Sequence, residues 1–215
     1  MTASPAVFGC LTRGDGSAAP PRFFDTRDGE PSYCEGLCVI VDEAAADTAA
    51  NLLAHGASMA FIAGAPARLG ECVSRLVTQA GAPRVGVLLD AAPMEVRWSL
   101  ECESNADFKT MAPSMPEPCW EVMAPGGMRT GIRVDHCLRT LFARGATAAV
   151  VQADLSAARD SDLNVCAGLV EEFGTRLWLA PGDAAPCDLQ PWIEFGQARR
   201  FVLAPEWQRD LLAQR

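Results

Sequence analysis

A segment that occurs twice is the feature that most constrains how this chain can fold. Residues 53–62 (LAHGASMAFI) are echoed by residues 142–151 (FARGATAAVV), with Gly56 and Gly145 at matching positions. Glycine commonly ends a helix, and each copy continues into a buried strand, a helical pattern and a second buried strand. Strands that alternate with helices pair in parallel through crossover connections. We interpret the two copies as two halves of one closed α/β structure.

Eight apolar segments of strand length lie along the chain, with helical patterns between most of them. The predicted strands are residues 22–25, 37–41, 58–64, 84–90, 120–123, 147–153, 176–180 and 200–204. The predicted helices are residues 42–55, 67–80, 136–144, 160–173, 188–195 and 206–214. Eight strands with a half-barrel internal repeat predict a single (β/α)8 TIM-barrel domain over residues 22–215. An open doubly wound sheet is the alternative, but no glycine-rich phosphate turn follows the first strand.

Two stretches break this alternation. Residues 1–21 are rich in glycine, alanine and proline, which predicts a loose N-terminal segment. Residues 91–118 are the least regular part of the predicted domain, since Pro113, Pro116 and Pro118 forbid a continuous helix. We therefore expect the barrel to be irregular or incomplete around residues 91–118.

The acidic charge balance bears on the possible partners. The formal net charge of −9 at pH 7 disfavours nucleic acid and anionic membranes, because both require clustered cations. No apolar run approaches membrane-spanning length, and nine cysteines without a signal peptide are typical of a reducing cytoplasm rather than of a disulfide framework. We expect a cytoplasmic protein that binds a small-molecule metabolite, and the sequence leaves its oligomeric state open.

The residue types present disfavour two kinds of enzyme. Lys109 is the only lysine, and a Schiff-base mechanism needs a lysine whose amine is deprotonated by burial or by a cationic neighbour. A zinc site is disfavoured because Cys34 and Cys38 have no second ligand pair at a matching spacing. Clustered carboxylates could hold Mg²⁺ or Mn²⁺ through oxygen ligands, but we expect no metal and no other cofactor.

Carboxylates follow several predicted strands at the point where each strand ends. The carboxyl ends of parallel barrel strands meet at one mouth, so Asp25, Asp90 and Asp154 are the candidate catalytic residues. Carboxylates that converge in a cleft repel one another, which raises the pKa of one of them and lets it act as an acid near neutral pH. The alternative is that these residues cap turns or helices. The candidate substrate-binding residues at the same strand ends are Arg27, Asp28, Gln152, Gly182 and Asp183.

Two local motifs resemble one known family. Residues 24–29 (FDTRDG) place an Asp and an Arg-Asp-Gly turn after a strand, and residues 145–154 (GATAAVVQAD) place Gly-Ala before an apolar strand that leads to an Asp. This pattern resembles the HisA/HisF-like barrels of histidine biosynthesis, the phosphoribosyl-formimino-aminoimidazole isomerase and its cyclase relative. The resemblance implies a TIM barrel built from two similar halves, and an isomerase in which one Asp after the first strand and one after the fifth act as base and acid. Asp25 matches the first of these.

The chain departs from this family pattern at other functional positions. Met123 and Ala124 stand where the fifth-strand Asp is expected, and Ala153 replaces the Thr of a Thr-Asp pair. At the family's phosphate sites, Asp90 places a carboxylate where a phosphate would lie, and Pro205 supplies no N–H. The resemblance therefore implies a divergent isomerase or lyase acting on a small polar metabolite that need not carry phosphate. The alternative is a catalytically degenerate barrel that serves as a structural or interaction subunit.

Overall fold

Ten strands and five α-helices are found in the residues that the structure, a computed structural model, describes: 6–11, 21–94, 118–182 and 188–207. The strands are β1 (Val7–Leu11), β2 (Arg22–Asp25), β3 (Leu37–Asp42), β4 (Met59–Ala63), β5 (Val85–Pro93), β6 (Trp120–Ala124), β7 (Met128–Arg133), β8 (Ala148–Ala153), β9 (Leu177–Pro181) and β10 (Arg200–Leu203). The helices are α1 (Ala46–Ala54), α2 (Pro66–Ala80), α3 (Val134–Ala143), α4 (Asp160–Phe173) and α5 (Gln190–Glu194). Across these residues, no helix is both long enough and apolar enough to cross a membrane.

Eight parallel strands close into a barrel in the order β1-β2-β3-β4-β5-β8-β9-β10, and β10 pairs with β1 to complete the ring. β5 pairs with β4 on one side and with β8 on the other, and its pairing with β8 joins the first part of the chain to the second. The prediction of a closed α/β barrel is confirmed at this level. All eight strands run in one direction, so their carboxyl ends lie at one end of the barrel.

Alternating side chains of the strands fill the barrel, because successive strand residues point to opposite faces. Phe23 on β2 lies 5.5 Å from Phe61 on β4 and 5.4 Å from Trp178 on β9, measured between ring centroids. The opposite faces of the strands contribute to a second, larger apolar cluster that they share with the helices. The barrel interior is therefore a packed core rather than a channel.

One barrel strand lies where the sequence analysis expected a loose segment. Residues 1–21 contain β1, which pairs with β10 on one side and with β2 on the other. Five residues (VFGCL) among glycine, alanine and proline give only a weak local signal for a strand. The pairing that holds β1 in place is with residues near the other end of the chain, which local pattern reading does not detect.

The segment predicted as the fifth barrel strand lies outside the barrel. This segment, β6, pairs in antiparallel with the end of β5, and β7 folds back on it as a hairpin. The carboxylate of Glu121 on β6 is buried and accepts hydrogen bonds from Nη1 of Arg129 and, at 3.0 Å, from the N–H of Gly131. Nη1 of Arg129 also donates to the carbonyl of Pro93 at 3.0 Å, which ties the hairpin to β5. Of the stretch expected to be irregular, residues 95–117 lie outside the described residues.

The repeated segments occupy barrel positions that are two strands apart. The first copy forms β4, α2 and β5, and the second forms β8, α4 and β9. Two halves of an eight-stranded barrel would be related by four strand positions, so the structure does not confirm a half-barrel repeat. The connection from β2 to β3, residues 26–36, contains a single 3-10 turn and no α-helix, which departs from a regular alternation of strands and helices.

The cysteines within the described ranges are free thiols. Cys137 on α3 and Cys166 on α4 are buried, and burial raises the pKa of these thiols to about 11 and about 12, respectively. Thiols with such pKa values are protonated at neutral pH and pack as small apolar side chains.

Two glycine-to-alanine substitutions test the packing of the interior. A Cβ on Gly86 of β5 would lie 2.6 Å from the ring of Phe61, so we expect Gly86→Ala to lower the free energy of unfolding by about 1–3 kcal/mol. Gly168 is exposed on α4 with open space around it, so Gly168→Ala should raise the free energy of unfolding by about 0.5–1 kcal/mol. Urea denaturation measures both changes, and an unaltered midpoint for Gly86→Ala would contradict the close packing against Phe61.

Candidate functional site

A cavity of about 310 Å³ opens at the carboxyl ends of the barrel strands. Its floor is apolar and consists of side chains from the packed interior, namely Ile40, Leu88, Val150 and Val202. Polar and aromatic residues surround its opening, namely Asp25, Arg27, Gln152, Glu206 and Trp207. An apolar pocket with a few polar groups on one side is typical of a small-molecule site. We call this space the mouth cavity.

Three of the predicted site residues lie on the inner face of barrel strands. Asp25, Asp90 and Gln152 each follow a side chain of the packed interior by two residues, so they point to the same inner face. Asp90 and Gln152 are paired in register on β5 and β8 and are therefore neighbours. Asp25 is on β2, four positions from β8 in the ring of eight strands, and so lies across the mouth from Gln152. The structure thus brings these three residues together.

The side chain of Arg27 is held against Asp25 at the edge of the mouth cavity. Asp25 Oδ1 accepts from the backbone N–H and from Nε of Arg27, both at 2.9 Å. Asp25 Oδ2 accepts from Nη2 at 2.5 Å and from Nε at 3.0 Å. The hydrogen bond to Asp25 raises the pKa of the Arg27 guanidinium, and the negative charge of Asp90 contributes in the same direction. Because Arg27 engages both of its oxygens, Asp25 is better placed to orient Arg27 than to act as a base.

Asp154 lies away from the mouth cavity. It lines a separate cavity of about 80 Å³ with Trp120, Arg159 and Asp162. Its Oδ1 accepts hydrogen bonds from the hydroxyl of Ser156 at 2.6 Å and from the N–H of the same residue at 2.9 Å. These two bonds lower the pKa of the Asp154 carboxyl. The structure therefore does not bring Asp154 together with Asp25, and it gives Asp154 the capping role that the sequence analysis held as the alternative.

The remaining predicted substrate-binding residues lie in three different settings. Gly182 lines the mouth cavity, but its N–H donates to the carbonyl of Ala153 at 2.7 Å and is therefore already bonded within the protein. Asp28 is exposed in the turn after β2 and does not line the cavity. Asp183 lies outside the described residues.

Sequence reasoning missed Glu206 and Trp207 as site residues. Both follow the end of β10 and were included only in a predicted helix over residues 206–214, of which residues 208–214 lie outside the described ranges. The signal that could have found them is their position in the segment that follows the last barrel strand, since Arg27 lies in the segment that follows β2.

The fold and the site together define a parallel α/β barrel with a cavity at the carboxyl ends of its strands. Among the residues in the described ranges, no group of three or more His, Cys, Asp or Glu side chains is arranged to hold a metal ion. Comparison with models of known protein families gives no match for this chain, and a search of curated protein sequences gives no significant match. Function is therefore inferred from the geometry of the mouth cavity.

Titration of Asp154 tests its assignment as a capping residue. Because its pKa in the folded state lies below the ordinary value, Asp154 contributes stability at neutral pH, and this contribution is lost as the pH falls through the folded-state pKa. Ser156→Ala removes the hydroxyl donor, so the pKa of the Asp154 carboxyl should rise, as measured by carbon NMR. Ser74→Ala on α2 is the matched control and should leave this pKa unchanged. An Asp154 pKa that Ser156→Ala does not raise would contradict the capping role.

Proposed function

We propose that this protein is an enzyme of the isomerase or lyase type that acts on a small polar metabolite bound in the mouth cavity. One observation carries the proposal: Asp25, Arg27 and Gln152 line one cavity above an apolar floor, and Asp90 is paired in register with Gln152 on the neighbouring strand. Isomerases and lyases of this kind need a group that moves a proton and further groups that hold the substrate in position. Together these four residues supply both kinds of group at the carboxyl ends of the barrel strands.

The contacts of the carboxylates support a division of roles between them. Asp25 is engaged on both oxygens by Arg27, so its role in the proposal is to orient the guanidinium towards the substrate. Asp90 stands beside Gln152 on the inner wall and is the group to which we assign proton transfer. Gln152 can both donate and accept hydrogen bonds, which suits a residue that positions a polar substrate next to Asp90.

We further propose that the barrel is a TIM barrel and a divergent relative of the HisA/HisF-like family. The support is a closed ring of eight parallel strands, the DTRDG turn after β2 and an Asp after β8. Two features distinguish this chain from that pattern: β1 precedes the strand that carries Asp25, and the N–H of Gly182 is bonded to Ala153. Since backbone N–H groups are the usual ligands of phosphate in such barrels, the substrate we propose carries no phosphate at Gly182.

The second candidate function is that of a barrel without catalysis that serves as a structural or interaction subunit. It is favoured by the hydrogen bonds that carboxylates at the strand ends make within their own loops. Asp25 accepts from the N–H of Arg27, and Asp154 accepts from the N–H of Ser156. Both residues therefore have a structural role that needs no substrate.

Exchange of carbon-bound hydrogen between a bound ligand and solvent distinguishes an enzyme from an interaction subunit. Small polar metabolites that stabilise the protein in a thermal-shift screen are incubated with it in D₂O, and deuterium on carbon is measured by NMR and mass spectrometry. An isomerase or lyase that removes a proton from carbon exchanges that hydrogen with solvent. We expect exchange with the wild-type protein and a decrease of about 10²–10⁴-fold in Asp90→Asn, because that variant lacks the proton-transfer group.

Two further variants control this experiment. Asp47→Asn makes the same change on the exposed first turn of α1 and should exchange as the wild type does. Asp154→Asn should retain exchange as well, since Asp154 lies outside the mouth cavity. Bound ligands that show no exchange with the wild-type protein would contradict the enzymatic function and support the interaction subunit. Loss of exchange in Asp154→Asn, but not in Asp90→Asn, would contradict the proposed roles.

A further inference from the structure

Glu206 and Trp207 lie at the opening of the mouth cavity and have no part in the roles assigned above. They are consecutive residues in the segment after β10, and both line the cavity. In the ring of strands, β10 is two positions from β2, which carries Asp25, and two positions from β8, which carries Gln152. A carboxylate and an indole ring are thus present on the side of the opening between these two polar residues.

The charge of Glu206 is not balanced by the other lining residues. Arg27 is the one cation among the lining residues of the described ranges, and its ion pair with Asp25 cancels both charges. In the part of the chain that the structure describes, no hydrogen bond or ion pair engages the side chain of Glu206. Its negative charge reaches β1, where burial raises the pKa of the Cys10 thiol and the charge of Glu206 raises it further. A net negative charge at the opening attracts a cationic ligand.

The indole ring of Trp207 adds a second means of binding a cation. The face of an aromatic ring attracts a positive charge, and tryptophan does so most strongly. The side chain of Trp207 is half-buried and lines the same opening as Glu206. The formal net charge of −9 at pH 7 acts in the same direction, because it favours the approach of cations over that of anions.

The remaining walls of the mouth cavity disfavour an anion and limit the body of the ligand. The N–H of Gly182 donates to Ala153 and that of Arg27 donates to Asp25, so neither is open to a ligand. The cavity of about 310 Å³ has an apolar floor, which offers no hydrogen-bonding side chain to the part of the ligand that enters most deeply. A compact molecule with an apolar body and a positive end at the opening fits this space best.

We propose that the ligand of the mouth cavity is a small organic amine, bound in its ammonium form. The ammonium group lies against the carboxylate of Glu206 and the ring of Trp207, and the apolar body rests on the floor of the cavity. Arg27 and Gln152 remain as hydrogen-bonding groups for a further polar group of the ligand. This inference rests on the proposed function, in that it takes the mouth cavity to be the substrate site. It adds the chemical class of the substrate and the two residues that recognise its charge.

Amines and alcohols of the same carbon skeleton test the role of the positive charge. Propylamine, butylamine, isobutylamine and cyclohexylamine are titrated into the full-length protein by NMR at low ionic strength, each beside its alcohol. We expect the amine that binds most tightly to exceed its alcohol by about fivefold, and this advantage to shrink as sodium chloride is added, because exposed charges are screened. An alcohol that binds as tightly as its amine would overturn the proposal.

A glutamate-to-glutamine pair of variants tests the role assigned to Glu206. Glu206→Gln keeps the shape and removes the charge, so it should weaken the amine by about fivefold at low ionic strength and leave the alcohol unaffected. Glu71→Gln on the exposed face of α2 is the matched control and should bind as the wild type does. Equal affinity of the amine for Glu206→Gln and for the wild-type protein would overturn the assignment of its ammonium group to Glu206.

Two substitutions of Trp207 separate cation binding from apolar contact. Trp207→Leu removes the aromatic face, so it should weaken the amine by about two- to fivefold more than it weakens the alcohol. Trp207→Phe retains a ring and should show a smaller difference between the two. An equal loss for amine and alcohol in Trp207→Leu would overturn the contact between the ammonium group and the ring.

Neutral probes separate failure of this inference from failure of the proposed function. Glycerol and ribose are titrated in the same way as the alcohols, with Gln152→Leu as the variant that reports on the mouth cavity. Binding of a neutral probe that Gln152→Leu abolishes, together with no binding of any amine, would overturn the amine class and leave the cavity as a substrate site. No binding of any probe would overturn both.

Discussion

Closure of the strand ring is the constraint on which the rest of this structure depends. Once β10 pairs with β1, the inner face of every barrel strand is enclosed, and its alternate side chains must fill one common space. Large rings are accommodated by small neighbours: a Cβ on Gly9 would lie 2.5 Å from the ring of Phe23, and one on Gly86 would lie 2.6 Å from that of Phe61. The inward-facing residues two positions further along the strands, such as Asp25 and Gln152, lie above this packed layer and surround the opening of the mouth cavity.

Position at the end of a strand is not sufficient to make an aspartate part of the site. Asp25, Asp42 and Asp154 all accept a hydrogen bond from the backbone N–H two residues ahead, at 2.9, 2.8 and 2.9 Å. This bond stabilises the turn that leaves the strand, whatever lies beyond it. Of these three residues, Asp25 alone lines the mouth cavity as well. Contact with the mouth cavity, rather than residue type or position after a strand, therefore distinguishes a site residue from a residue that only caps a turn.

The sequence predicted the positions of several strands better than it predicted which residues lie in the site. Continuous apolar runs such as residues 58–64 and 147–153 predict buried parallel strands, and they form β4 and β8. Such runs are apolar on both faces, so they do not reveal which residues point inward, and Gln152 and Asp154 look alike as candidates. The structure separates them because Gln152 lies within β8 and lines the mouth cavity, whereas Asp154 lies beyond the end of β8 and lines a separate cavity. The strand β1 and the displacement of β6 from the ring depend on pairings between distant segments, which local patterns do not encode.

Backbone N–H groups near the mouth cavity are bonded within the protein, so the donors that a ligand could meet there are side chains. A phosphate-binding barrel leaves N–H groups of its loops unbonded so that they can donate to the ligand. Here the N–H of Gly182 donates to Ala153, and the N–H of Arg27 donates to Asp25. Among the side-chain donors of the mouth cavity, the guanidinium of Arg27 has its plane fixed by Asp25, so it has already lost rotational freedom before a ligand binds. A fixed planar donor discriminates by geometry as well as charge, so a carboxylate, with two coplanar oxygens, is matched better than a spherical anion.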